Sequence, residues 1–149
     1  MASDDERALI APCGLYCGNC PLYEARTDEK LRKKIAERRG IPVEKVFLCA
    51  GCRPMRGRVK VAGGEPICDT YACAVNDKKL EFCYECEDFP CLKLAPCADR
   101  AQEIPHNTKV YNLILLQKLG IDAWLERYPG LLGQYRQGKK PKSGGDIQL

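Results

Sequence analysis

APCGLYCGNCPLY, residues 11–23, sets three cysteines on one short stretch in the spacing Cys13-x3-Cys17-x2-Cys20. A Cys-x2-Cys turn brings two sulfurs to one side of a loop and aims the intervening backbone N–H groups at them, an arrangement in which thiolates hold a metal ion. The same pair recurs at Cys49-x2-Cys52 and Cys83-x2-Cys86. Cys68-x4-Cys73 stands between them, Cys91 follows Cys86 after four residues, and Cys97 trails. All 11 cysteines of the 149 residues fall between Cys13 and Cys97, and the rest of the chain carries none. Composition therefore divides the chain into an N-terminal segment (1–12), a cysteine-rich part (13–97), a helical C-terminal part of the same domain (98–135) and a basic tail (136–149).

Leu, Ile, Val and Phe make up little more than a fifth of the sequence, and the 45% hydrophobic fraction is raised by cysteine itself. So few aliphatic residues predict a thin conventional core, with metal–thiolate bonds taking over part of the task. The expected fold is a small, cysteine-rich, metal-stabilised structure of short helices and irregular segments, with at most a small β-hairpin. The first twelve residues, MASDDERALIAP, are acidic and lack the apolar core of a signal peptide. No stretch approaches the ~20 apolar residues that span a membrane. A cytoplasmic protein is expected, in which clustered thiols bind metal in preference to pairing as disulfides.

Local signals place a few elements. Asp28 to Arg39 predicts a charged surface helix with Gly40 as its stop, and Arg58 to Val61 carries a weak strand signal. Asn107 is the expected N-cap of a helix whose apolar run, Val110 to Leu119, closes at Gly120. Val110, Leu113 and Ile114 form its expected stripe, with Tyr111, Leu115 and Leu119 beside it. So wide a face calls for cover from the cysteine-rich part, or from a protein partner. A second helix is expected from Ile121 to Tyr128, presenting Trp124 and ending at Pro129-Gly130. From Arg136 the sequence loses its apolar pattern and predicts a disordered tail.

Ten cysteines are the candidate ligands: Cys13, Cys17, Cys20, Cys49, Cys52, Cys68, Cys73, Cys83, Cys86 and Cys91. Cys97 and the single histidine, His106, stand apart from the pattern. Spacing leaves the grouping open. Zinc, as two or more four-thiolate ions, is favoured by Cys-x2-Cys pairs separated by tens of residues. A [4Fe-4S] cluster acting in electron transfer or redox sensing is the alternative, since three ligands share the first loop. That loop and Gly63-Gly64-Glu65-Pro66 also match two signatures of radical S-adenosylmethionine enzymes. Too little chain follows Pro66 to complete a barrel, and Asn19 stands where such enzymes carry an aromatic residue. Without a motif pairing His106 to a nucleophile, acid–base catalysis has little support, and a binding or adaptor module is the expected role.

The formal charge of +4 argues little for nucleic acid. Arg136, Lys139, Lys140 and Lys142 in the tail account for most of it. Two four-thiolate zinc sites at about −2 each would bring the whole to about zero. Arg53, Arg56, Arg58 and Lys60 follow Cys52 closely and are read as offsetting neighbouring thiolates rather than binding phosphate. Glu81, Glu85, Glu87 and Asp88 make the third cysteine group acidic.

APCGLYCGNCPLY, CAGCRP (49–54), ICDTYACA (67–74) and FCYECEDFPCLKL (82–94) together resemble the cysteine-rich domain-of-unknown-function family 3795. Its members open with CGLxCxxCPxY and later carry CxGCR, a Cys-x4-Cys pair followed by Ala, and CxxCxxFPCxKL. NLILLQKLGIDAWLERY (112–128) is similar to the family's closing segment. The likeness spans Ala11 to Tyr128 and implies metal binding without an established activity. Many members have one more cysteine three residues before the position of Cys68, where this chain has Glu65. Cys97 lies outside the pattern, which suits a free thiol.

Overall fold

The computed structural model describes residues 1–58, 67–94 and 108–137. Six helices carry the fold: α1 (Asp4–Ala8), α2 (Pro21–Glu24), α3 (Glu29–Arg39), α4 (Asp69–Tyr71), α5 (Thr108–Leu119) and α6 (Ile121–Gln137). The wider coil of a π-helix, Ala72–Asp77, continues α4 directly. No strand forms among the described residues. The small hairpin that was allowed for is reduced to one isolated antiparallel bridge, Ile10 to Tyr16. Of the strand expected at Arg58 to Val61, all but Arg58 lies outside the described residues. So do Gly63 to Pro66, Cys97, His106, Asn107 and the tail beyond Gln137.

Capping explains the start of α1 and both ends of α3. Ser3 and Glu6 form a reciprocal capping box at the start of α1, with Ser3 N–H donating to Glu6 at 2.9 Å and Glu6 N–H to the Ser3 hydroxyl at 3.3 Å. The acidic N-terminal segment thus contains a short helix that composition alone left unassigned. Asp28 caps α3 through the N–H of Leu31 at 3.0 Å, and Gly40 closes it in the left-handed conformation at φ 62°. Arg32 reaches back from α3 and donates to the carbonyls of Ala25 and Arg26, just beyond the end of α2. α3 is therefore largely a surface helix, as its charges demanded, with Ala36 its buried residue.

α6 corrects the sequence reading. Its helix passes through Pro129 and Gly130 and runs on to Gln137, into the first residues of the expected tail. Proline removes one backbone donor and crowds the preceding turn. Burial on both sides of the proline outweighs that local cost. Tyr128, Leu131 and Leu132 are all buried, and the Tyr111 hydroxyl donates to the Leu131 carbonyl at 2.8 Å.

The wide apolar face of α5 is covered by the cysteine-rich part. Ile10, Phe82 and Leu94 join Leu113, Leu115 and Leu116 of α5 and Trp124, Tyr128, Leu131 and Leu132 of α6 in one buried cluster. Tyr16 meets Trp124 and Tyr128 edge-on, with ring centres 5.8 and 5.0 Å away. The buried stripe differs from the expected one, for Ile114 is exposed and Leu116 takes its place. Two neighbours, the cysteine-rich part and α6, decide which side of α5 is inside. The aliphatic core is thus gathered at the C-terminal end rather than spread thinly. A second, smaller cluster joins Leu22 and Cys49.

The two halves meet at one glycine. Asn112, fully buried on α5, donates through its amide nitrogen to the Gly14 carbonyl at 2.7 Å. Gly14 has φ +85°, and a Cβ there would lie 2.8 Å from the Lys109 carbonyl oxygen and 2.9 Å from Leu113 Cγ. Gly14→Ala should therefore cost roughly 2–5 kcal/mol, from backbone strain together with overpacking. Gly40→Ala, where a Cβ meets nothing within 4 Å, should cost only about 1 kcal/mol. Urea unfolding of the two variants checks this, and equal losses would contradict the close approach of α5.

Candidate metal centre

All ten described cysteines are free thiols, and they hang from short turns that the sequence spacing anticipated. Cys17–Asn19 and Cys83–Glu85 are single 3-10 turns. They bring the Cys20 N–H to the Cys17 carbonyl at 2.9 Å and the Cys86 N–H to the Cys83 carbonyl at 3.2 Å. These are the Cys-x2-Cys turns in which both sulfurs project from one loop.

The first and second cysteine groups are neighbours. The Cys52 N–H donates to Cys17 Sγ at 3.5 Å, and the Gly51 N–H donates to Cys49 Sγ at 3.4 Å. Backbone donors aimed at sulfur in this way stabilise thiolate ligands. Cys20 packs on Cys49 and Leu22, and Cys17 lies within electrostatic reach of Cys49, Cys13 and Cys20. Met55 belongs to the same neighbourhood, its sulfur accepting from the Ala50 N–H at 3.4 Å and standing 3.7 Å from Cys49 Sγ. Cys13 lies within electrostatic reach of Cys68, and Cys52 within reach of both.

The third group closes around a different space. Cys73, from the π-helical turn, joins Cys83, Cys86 and Cys91 in lining one cavity of about 30 Å³. Lys78, which follows that turn, donates to Cys86 Sγ at 2.9 Å and to Asp88 at 2.7 Å. A backbone bond from the Cys83 N–H to the Pro12 carbonyl, 2.9 Å, ties this group to the first loop. Lys78 and Met55 stand in no motif of the sequence, and Asp88 enters it only as one of the acidic residues of the third cysteine group.

Arg53 is placed by its hydrogen bonds. It donates to the Ile10 carbonyl and the Glu81 carbonyl, both at 2.7 Å, and lies over the Phe82 ring at 4.9 Å. Its charge also favours the Cys52 thiolate.

Burial governs the protonation of the thiols. It pushes Cys17 up to about 11 and Cys83 up to about 12 from an ordinary 9.0, with further rises from neighbouring thiols. Cys52 is pushed higher still, and Cys13 and Cys49 are also raised, in each case chiefly by burial. As the side chains stand, no three Cys, His, Asp or Glu residues among the described residues are arranged to hold a metal ion. The donor set nevertheless fits a thiophilic ion in kind: soft sulfur ligands, partly buried, with N–H donors and a lysine directed at them.

A small helical protein assembled on cysteine turns is the class that this fold and site define. The sequence profile of the family described as protein of unknown function (DUF3795) matches residues 9–96, more than half of the chain, and the chain belongs to that family. No curated protein and no solved structure matches it.

The raised thiols carry a pH signature. In the reduced chain stripped of metal, the folded state keeps these protons above pH 9.0, where the unfolded chain begins to lose them. The unfolded state then binds fewer protons, so stability falls as pH rises from about 9 toward 11–12 and is unaffected by these thiols below that window. Denaturant midpoints measured from pH 7 to 11 should be level and then decline. A midpoint rising through the window would contradict thiol burial.

Proposed function

We propose that this protein is a metal-binding module whose cysteine thiolates hold structural centres, zinc being the favoured ion. The observation that supports this reading most is the gathering of cysteines from distant turns, with backbone N–H groups of Gly51 and Cys52 donating to sulfur. Burial makes these thiols resist ionising, and a bound ion would replace their protons and cross-link the turns. Closed sites made of sulfur alone suit structure better than catalysis, which usually keeps an open position. The role that follows is binding or adaptor work with a protein partner in a reducing compartment, the cytoplasm. Among the described residues no helix is long and apolar enough to cross a membrane.

A [4Fe-4S] centre is the second reading. It is favoured by the first loop, where Cys17 senses both Cys13 and Cys20. Elemental analysis and a visible spectrum on protein purified without oxygen separate the two. The zinc reading expects two or more zinc atoms per chain and no colour. Iron with matching sulfide and a brown colour would establish the alternative, and a chain free of metal would overturn both.

Metal removal supplies the functional test. Chelation should lower the thermal midpoint, and added zinc should restore it in a concentration-dependent way. Cys17→Ser and Cys86→Ser should lose metal, whereas Cys97→Ser should keep its full content. Equal metal in all three variants would sink the ligand assignment.

A further inference from the structure

We propose that Cys73, Cys83, Cys86 and Cys91, which line one cavity but are not arranged around an ion as the side chains stand, close into a four-thiolate site for a single zinc-like ion when metal binds, separate from whatever the other six candidate ligands hold. The inference rests on the metal-binding reading above and adds which thiols share an ion.

These four cysteines line one cavity, although they come from two segments with different geometry. Cys83 and Cys86 flank a Cys-x2-Cys turn. Cys91 follows a second turn, fixed by the Phe89 N–H donating to the Cys86 carbonyl at 3.1 Å. Cys73 enters from the π-helical stretch Ala72–Asp77. A π-helical turn inside a helix commonly marks a functional position. Here the Lys78 N–H returns to the Cys73 carbonyl at 3.0 Å and the Leu80 N–H to the Ala74 carbonyl at 2.8 Å, so the chain turns back toward Phe82 immediately after Cys73. Cys83 lies within electrostatic reach of Cys73, Cys86 and Cys91.

Size and charge define the ligand. A cavity of about 30 Å³ is on the scale of one or two water-sized bodies, which suits one ion better than an eight-atom iron–sulfide cube. Four thiols binding a dication release four protons to solvent and leave a net charge of about −2. Lys78, donating to Cys86 Sγ at 2.9 Å, stands ready to offset part of that charge, and Asp88 holds it in place at 2.7 Å. Cys13 is sensed by Cys83 but does not line the cavity.

The test counts zinc per chain in the full-length protein. Cys83→Ser and Cys91→Ser should each lose one zinc, and the double variant should lose no more than either alone. Cys13→Ser should retain this zinc, and combining Cys83→Ser with Cys17→Ser should remove further metal. Where a serine variant does not fold, the unaltered protein gives the same answer. Zinc is withdrawn stepwise with a chelator, and newly exposed thiols are alkylated and mapped by mass spectrometry. Cys73, Cys83, Cys86 and Cys91 should become reactive together, as a set distinct from Cys17 and Cys49. If zinc is bound but the four react in different steps, or in one step with all the others, this grouping is wrong while the metal-binding reading stands. A wild-type chain without zinc would overturn both.

Discussion

The loop from Leu9 to Tyr16 is the constraint on which the other parts depend. Its carbonyls receive donors from every part of the fold: Leu9 from the Cys17 N–H, Ile10 from Arg53, Pro12 from the Cys83 N–H and Gly14 from Asn112. Three segments distant in sequence, at Arg53, Cys83 and Asn112, are thereby registered against one stretch of backbone. The bridge between Ile10 and Tyr16 closes the loop on itself. Tyr16 then offers its ring to Trp124 and Tyr128. A loop used as a template in this way explains how a chain without strands among its described residues fixes three cysteine groups relative to one another.

That arrangement pairs two kinds of interior. At the α5–α6 end, aromatic and aliphatic side chains are buried by the ordinary hydrophobic effect, at roughly 25 cal/mol per Å² of apolar surface removed from water. At the cysteine end, most of the described thiols are only partly buried, and burial raises the cost of ionising them. The apolar end stabilises itself, whereas the thiol end gains most when a cation replaces the protons. Arg53 and Lys78 are cations already held beside the cysteine groups by hydrogen bonds to their neighbours.

Much of this was legible in the sequence where the cause is local. Asp28 and Gly40 delimit α3 because capping chemistry acts within one turn, and α5 follows from a largely apolar run that Gly120 closes. The Cys-x2-Cys turns were equally readable, since their geometry is set by four consecutive residues. What depends on distance was not. Pro129 and Gly130 look like a helix end, and only the packing of Tyr128, Leu131 and Leu132 keeps α6 intact through them. Ser3 and Glu6 had the spacing of a capping box, but the segment was judged by its acidity. The cavity shared by Cys73 and Cys91, and the placing of Lys78 on Cys86, arise from a π-helical turn that no spacing rule announces.

The tie between Asn112 and Gly14 spans 98 residues, and the Tyr16–Trp124 contact spans more. Contacts so far apart in sequence carry a large loop-closure cost and form late. As the chain leaves the ribosome, the first cysteine loop is made long before α5 and α6 exist to cover it. For that interval its thiols face the solvent, open to oxidation, to stray metals and to one another. On the metal-binding reading, an ion acquired early would hold these turns until α5 and α6 are made to cover them.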